Sequence, residues 1–330
     1  MIDSFHRRID YLRVSVTDHC NLRCVYCLPE FYAGQAPRPE LLTDEAVVKV
    51  VSLFVELGFS KIRITGGEPL TRPGLARTIG MMSRMNGVSD MALSTNGVLL
   101  LPLIRSLAEA GLKRINISLD SLRPERFARI TRLGKLETLL AGLDAALALG
   151  LSPIKINVVV ARGMNEDELG DFVRLTEDKP LHVRFIELMP MGETGFFSRE
   201  RWVPLDEMVE GTAPLEPLPP SEWPRGHGPA RYYKRPGAKG TVGFISALSC
   251  GFCSSCNRVR LSSRGILIPC LDGADGVDLR TPLRQGVADE ALKDMISRVV
   301  RNKPERHFML ERASGSAPAI GARSMCQVGG

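Results

Sequence analysis

Tyr11-Leu12-Arg13-Val14-Ser15-Val16-Thr17 runs through Asp18-His19 into Cys20-Asn21-Leu22-Arg23-Cys24-Val25-Tyr26-Cys27. The first stretch is apolar and β-branched enough to read as a strand, and the second places three thiols in a C-x3-C-x2-C loop behind it. Cysteine-rich loops of this kind hold iron–sulfur clusters through thiolate ligation, and three protein ligands for four irons leave one iron open to another group. A structural zinc site would call for four ligands in paired spacing, which this uneven run does not offer.

Working outward, short β-branched runs alternate with amphipathic stretches. Strands are expected at Tyr11 to Thr17, Lys61 to Thr65, Met91 to Thr95, Arg114 to Leu119, Ile154 to Val160 and Val183 to Leu188. Helices are expected at Asp44 to Leu57 behind an N-capping Thr43, from Gly74, at Leu101 to Ala110, at Leu136 to Leu149, and at Glu166 to Glu177 behind Asn165. The order is that of an α/β protein with a parallel sheet. Six repeats in place of eight predict an incomplete (β/α)6 TIM-like barrel, open on one side, with ligands at the C-terminal strand ends. The expected division is residues 1–225 for this core and 226–330 for a smaller C-terminal iron–sulfur domain. The Pro- and Gly-rich segment from Ser198 to Gly240 would link the two and let the second close the open side.

A second thiol group, Cys253, Cys256 and Cys270, reads C-x2-C-x13-C. Cys250 extends it to C-x2-C-x2-C, so spacing alone leaves open whether a second cluster is closed by four protein ligands or open on one iron. Cys326 has no partner at ligand spacing.

Polar groups gather at the strand ends. Gly66 and Gly67 permit a close backbone approach and Glu68 could receive an amine, while Ser94 to Gly97 and Ser118 to Ser121 add hydroxyls and an amide to the same face. Arg13, Arg63, Lys155 and Arg184 fall inside strands, where a cation is costly unless it meets an anion. Arg258 and Arg260 alternate onto one face of an extended segment. Six cations beside two cysteine groups point to a polyphosphate, because guanidinium forks match phosphate oxygens.

With 330 residues, 44% hydrophobic and 24% charged, the composition is that of a globular protein, and the net charge of +6 alone decides no ligand. No segment reaches membrane-spanning length, and the polar start from Met1 to Asp10 lacks a signal-peptide core, so a cytoplasmic location is expected. Aromatic residues are 6% and there is no basic run, which leaves a zinc-dependent nucleic-acid module little for base stacking.

Cys20 to Cys27, Gly66 to Pro69 and the strand order resemble the radical S-adenosylmethionine enzymes. With Cys253, Cys256, Cys270 and Asn257-Arg258-Val259-Arg260-Leu261 the chain closely resembles the GTP 3′,8-cyclases of molybdenum cofactor biosynthesis. That likeness continues through Lys303-Pro304-Glu305-Arg306-His307 to the terminal Gly329-Gly330. It implies two 4Fe–4S clusters, on Cys20, Cys24 and Cys27 and on Cys253, Cys256 and Cys270, with Cys250 not a ligand. It implies S-adenosylmethionine at the first cluster, beside Tyr26, Gly67, Ser118 and Met189 with Glu68 near its amine. GTP would be held by Arg13, Arg63, Ser94, Lys155, Arg258, Val259 and Arg260, its purine on the second cluster's open iron. A deoxyadenosyl radical would take the ribose C3′ hydrogen and the ring would close on C8, giving the 3′,8-cyclo nucleotide. Arg13, Arg258, Arg260, Gly329 and Gly330 would share in catalysis.

The same resemblance implies an electron donor such as flavodoxin or ferredoxin and hand-over to the next enzyme of the pathway. No nucleic acid or membrane partner is expected, and the chain would be a monomer or homodimer. The enzyme alternative is a radical enzyme whose auxiliary cluster relays electrons to a peptide substrate. A peptide gives no reason to gather six cations. Leu271-Asp272-Gly273 after Cys270 departs from the more apolar continuation usual in the family.

Overall fold

The structure, a computed structural model, describes residues 1–192, 194–273, 276–314 and 325–329. The N-terminal part is β1 (Tyr11–Ser15), α1 (Asp44–Glu56), β2 (Lys61–Thr65), α2 (Leu75–Ser83), β3 (Asp90–Thr95), α3 (Ile104–Glu109), β4 (Arg114–Ser118), α4 (Pro124–Thr131), α5 (Leu136–Ala148), β5 (Ile154–Val160), α6 (Leu169–Asp178) and β6 (Leu181–Glu187). There follow α7 (Leu205–Glu210), β7 (Glu216–Pro217), β8 (Arg231–Lys234), β9 (Thr241–Ile245), β10 (Arg258–Leu261), β11 (Ile266–Ile268), β12 (Val277–Asp278), α8 (Arg280–Arg284), α9 (Asp289–Arg301), α10 (Met309–Ala313) and α11 (Met325–Val328).

One sheet runs β12-β11-β10-β1-β2-β3-β4-β5-β6-β9-β8-β7. The six expected strands lie in sequence order and parallel, as a partial barrel requires; β10 continues them in parallel beyond β1, and β9 beyond β6. Strands on both sides of the expected division at residues 225 and 226 therefore share one sheet. The segment Ser198 to Gly240 builds out the β6 edge through α7, β7 and β8. It is the stretch 246–257, between β9 at one edge and β10 at the other, that carries the chain across the open side, and it holds Cys250, Cys253 and Cys256.

The two faces of the sheet differ sharply. Leu12, Val14, Ile62, Ile64, Leu93, Ile115, Ile117, Ile156, Val158, Val183 and Phe185 pack outward with Val47, Val50, Phe54, Leu139, Leu143 and Phe172 of the helices in one buried cluster. Each such side chain contributes about 1.5–3 kcal/mol of burial, so this face carries the fold. The alternate residues face inward and are polar. Arg260, Arg13 and Arg63 stand side by side across β10, β1 and β2; Ser94, Asn116, Lys155 and His182 form a second row, and Ser118, Asn157 and Arg184 a third. A barrel filled for stability would present branched apolar residues here. This interior is built to take a ligand.

Several boundaries differ from expectation for local reasons. Thr43 does cap α1, its Oγ1 accepting from Ala46 N at 3.2 Å. The Asn165 side chain instead accepts from Ala161 N and donates to the Asp120 and Val159 carbonyls, so a 3-10 turn at Glu166–Glu168 precedes α6. Turns through Leu103 delay α3 to Ile104, and α4, with Pro124 at its start, was not anticipated. Among the described residues no helix is long and apolar enough to cross a membrane.

Candidate functional site

The C-terminal ends of β1 and β2 set the first thiol group. Gly67 N donates to Thr17 O and Glu68 N to His19 O, both at 2.7 Å, which lays the Gly66–Glu68 turn against the chain entering the cysteine loop. A Cβ on Gly66 would meet Thr17 O at 2.7 Å, and one on Gly67 would meet the carbonyl carbon of His19 at 2.7 Å. These glycines are required by contact between two backbone segments, in addition to any approach of a ligand. Glu68 is fully buried. Its carboxylate accepts from Leu70 N at 3.0 Å, Thr95 Oγ1 at 2.7 Å and Asn96 N at 2.6 Å, and burial pushes it up to about 7. These bonds also brace the ends of β2 and β3 against each other.

Cys20, Cys24 and Cys27 sit in a tight turn, with Cys27 N and Leu28 N both donating to Cys24 O. Burial pushes the Cys20 thiol up to about 11, and raises Cys24 and Cys27 further in the same direction. Neutral thiols are what a desolvated loop favours; only bound metal would make three thiolates stable there, which is how a coordinating thiol loses its proton. Among the described residues no three His, Cys, Asp or Glu groups converge as a single-ion site. A soft, all-sulfur donor set with one thiolate per iron fits a cluster.

The second group differs in its electrostatics. Burial acts to raise Cys256, but the charges of Arg258 and Lys303 outweigh it and bring the thiol down to about 7. Cys253 is lowered against its burial by a hydrogen bond from His307, whereas burial raises Cys270. Lys303 Nζ also donates to Pro269 O at 2.5 Å, and Arg258 stacks over the Phe252 ring with 5.0 Å to its centroid. Arg7, paired with Asp3 at 2.6 Å, donates to the carbonyls of Cys253, Pro304 and Glu305 and so ties the N-terminus to this centre. Cys250 is exposed and does not line the cavity. Asp272 accepts from Phe308 N at 2.6 Å and pairs with Arg312, which explains how a polar residue after Cys270 is packed.

A cavity lies inside the sheet, bounded by Cys253, Cys256 and Cys270, by Arg13, Arg63, Arg184, Arg258 and Arg260, and by Ser94, Ser118 and Met189. Among the described residues no carboxylate side chain lines it. Burial and the charges of Arg260 and Arg63 pull Arg13 well below the usual guanidinium range, and burial with Arg258 brings Arg260 to about 10. Arg184 is aimed by Asn157 and Asn116, whose Oδ1 atoms accept from its Nη2 at 2.5 and 3.1 Å, and Arg63 by Tyr11 and by Ser94 Oγ at 3.2 Å. Buried cations held this close together favour an anion between them.

Not every expected residue lines this cavity. Lys155 lies below it, its ammonium donating to Arg225 O at 2.7 Å and Pro224 O at 3.2 Å and sitting over Tyr232, and burial lowers it to about 6. The Val259 side chain points into the outer core, so only its backbone can serve a ligand. Glu187 accepts from Leu248 N at 2.7 Å and from Ser249, fixing the chain before Cys250. Cys20, Cys24, Cys27, Tyr26, Gly67 and Glu68 stand outside the lining, with Met325 of the tail at the wall. Arg260 donates to the carbonyls of Val328 and Gly329, which brings the tail to the cation row; Gly330 lies outside the described residues. Tyr11, Asn116, Lys303 and His307 were missed as individuals. Only the run Lys303 to His307 carried a signal.

Comparison with known proteins matches two family models in succession along the chain. The Radical SAM superfamily model matches residues 14–176, and the Molybdenum Cofactor Synthesis C model residues 181–309. A GTP 3′,8-cyclase of Heliobacterium modesticaldum is 48% identical over 100% of both chains, and one of Pelotomaculum thermopropionicum 46% identical over 100% of both. The crystal structure of Streptococcus suis SuiB superposes with a TM-score of 0.62 at 13% identity, covering 90% of this chain and 66% of that one, a likeness of fold.

Proposed function

We propose, from the premise that the chain belongs to the GTP 3′,8-cyclase family of radical S-adenosylmethionine enzymes, how its own residues divide the work. The reaction is the cyclisation of GTP that opens molybdenum cofactor biosynthesis, with S-adenosylmethionine and two 4Fe–4S clusters as cofactors. Bound at the N-terminal centre, cluster and S-adenosylmethionine supply the one-electron chemistry that starts ring closure.

Cys20, Cys24 and Cys27 hold the first cluster; Tyr26, Gly67, Ser118 and Met189 border S-adenosylmethionine, with Glu68 shaping that border from behind. Cys253, Cys256 and Cys270 hold the second, leaving an iron for the purine. Arg13, Arg63, Arg184, Arg258 and Arg260 take the triphosphate, Ser94 adds a hydroxyl, and the Val259 backbone lies between the last two guanidiniums. Lys155 supports this row from below by holding Pro224 and Arg225. Gly329, held by Arg260, closes the chamber against water, which protects reactive species from other hydrogen donors, and a share in catalysis is assigned to Gly330 after it. The observation that carries the substrate assignment is a lining with five arginines beside Cys253, Cys256 and Cys270.

Residues 226–330 act as the substrate and second-cluster unit of the division. Electrons come from a low-potential donor of the flavodoxin or ferredoxin class, the product passes to the next enzyme of the pathway, and a reducing cytoplasm suits thiol-ligated iron. The test is an anaerobic assay of reconstituted protein with S-adenosylmethionine, dithionite and GTP, ATP or CTP, read by mass spectrometry. A cyclised nucleotide from GTP alone, with 5′-deoxyadenosine, is expected; cleavage of S-adenosylmethionine with GTP returned intact would overturn the substrate assignment.

A further inference from the structure

The first cysteine loop has neighbours that the reaction above does not use. Arg23 N donates to Thr131 O at 3.1 Å and Val25 N to Ile130 O at 2.9 Å, so the loop lies along the end of α4. Arg132, the next residue, holds φ at +62°, a region that few residues other than glycine adopt. That turn lays its guanidinium on the loop, where Nη1 donates to Arg23 O and Leu28 O, both at 3.1 Å, on either side of Cys24 and Cys27 in the chain. Arg23 in turn donates to Cys20 O and Leu22 O, both at 2.8 Å.

The surface outside this junction is basic and apolar together. Leu133, beside Arg132, is 63% exposed. Phe31, three residues past Leu28 and so within about 11 Å of it, is 93% exposed. Arg129, Arg132 and Lys135 are exposed with them, and in residues 28–33 and 129–135 Glu30 is the one acidic group. Among the described residues no carboxylate is within ion-pair distance of Arg129, Arg132 or Lys135. The second thiol group shows the opposite. Phe308 is exposed there beside Arg306 and Arg312, but these two pair with Glu311 and Asp272. An incoming acidic surface is therefore attracted at the first centre and not at the second.

We propose that this face, with Phe31, Arg129, Arg132, Leu133 and Lys135, is the docking surface for an acidic one-electron carrier protein that reduces the first cluster through the loop held by Arg132. This rests on the reading of Cys20, Cys24 and Cys27 as the ligands of that cluster and of the chain as one fed by such a carrier. The step moves one electron: the carrier is oxidised by one, the cluster is reduced by one, and no bond forms or breaks. Electron transfer slows steeply with distance, so the carrier belongs against the surface nearest the cluster. Unpaired cations attract and orient an acidic carrier, while the exposed Phe31 and Leu133 supply contact that a fully solvated face lacks. Electron-transfer encounters bury under about 1,200 Å² and are weak, which suits a carrier that must leave after each electron.

The experiment uses the full reconstituted chain as wild type, as the double variant Phe31→Glu, Leu133→Glu and as the double variant Arg129→Glu, Lys135→Glu. A purified flavodoxin and a purified ferredoxin serve as carriers. Calorimetric titration at low and high salt reports docking, hydrogen exchange of the wild type reports where it occurs, and cyclase turnover is driven by each reduced carrier or by dithionite. At least one carrier should bind the wild type, more weakly as salt rises, and protect residues 23–31 and 129–135 from exchange. Both variants should bind it roughly tenfold more weakly, as like charges placed across an interface do, and lose carrier-driven turnover in step. Dithionite is too small to need the face, so turnover with it should match wild type. Unchanged affinity and carrier-driven turnover in both variants, or protection around Phe308 in place of the loop, would overturn the surface while leaving the carrier reading intact. Failure of that reading looks different: neither carrier would bind or drive the wild type, and the proposal falls with it. Should the cluster reading itself fail, the wild type would not cleave S-adenosylmethionine even with dithionite.

Discussion

Tyr26 Oη donates to Asp120 Oδ2 at 2.6 Å, while Asp120 Oδ1 accepts from Val159 N at 2.8 Å, so a single carboxylate fastens the first cysteine loop to the ends of β4 and β5. Burial pushes Asp120 up to about 6 against these bonds, which makes each of them costly to lose. Tyr26→Phe should destabilise the protein by about 1.5–3 kcal/mol, the range for a hydrogen bond to a charged group. Urea unfolding and S-adenosylmethionine affinity are the readouts. A variant as stable and as tightly binding as wild type would show that the loop is held by other contacts.

Glu68 predicts a pH dependence. Its ordinary value of 4.5 is raised to about 7, with burial as the largest cause and the bonds from Asn96, Leu70 and Thr95 opposing it. The folded chain thus binds this proton more tightly than the unfolded chain does. The stability Glu68 contributes is complete below 4.5 and is lost as pH rises through about 7. Stability should fall across that window in wild type and fall less in Glu68→Gln. Parallel profiles for the two proteins would mean that Glu68 does not titrate there.

Arg13 is pressed between Arg260 and Arg63 in register across three strands. Arg13→Met relieves that repulsion and should leave the ligand-free chain folded. GTP affinity should meanwhile fall roughly 10- to 100-fold, the loss of one charge-assisted contact. Calorimetry of unfolding and of GTP binding separates the two effects. Loss of stability without loss of affinity would make Arg13 a structural residue.

Cys250 is exposed beside a centre whose other cysteines line the cavity. Cys250→Ser should retain both clusters and full cyclase turnover, whereas Cys256→Ser should lose the second cluster. Iron and sulfide content decides this directly; a missing second cluster in the Cys250 variant would make it a ligand.

The sheet was legible in the sequence because buried parallel strands are apolar on their helix-facing side, as in Ile62 and Ile64 or Ile154 and Ile156. The cations alternating with them announced a polar interior, and Arg13, Arg63, Arg184, Arg258 and Arg260 do meet there. What one chain segment cannot reveal is which way a polar side chain is satisfied. Glu68 and Glu187 both collect backbone N–H groups from segments remote in sequence, Asn96 and Leu248, which no local pattern announces. Lys155 sits on the same face, one row before Arg184 along the strands, where carbonyls of residues 224 and 225 take its ammonium. Arg7 and His307 owe their roles to partners some 246 and 60 residues away, beyond any local pattern.

Parallel pairing of β1 with β10, Tyr11 opposite Arg258 and Val14 opposite Leu261, has a metric consequence. Cys256 lies just before β10 begins, and the Cys20 loop departs just after β1 ends, so the two thiol groups occupy opposite ends of one pair of strands. At about 3.3 Å per residue, half a dozen residues of extended chain set roughly 20 Å between those levels. The strand pair is a ruler. A nucleotide anchored by its base at one end has its sugar carried toward the other by a length that neither loop can alter.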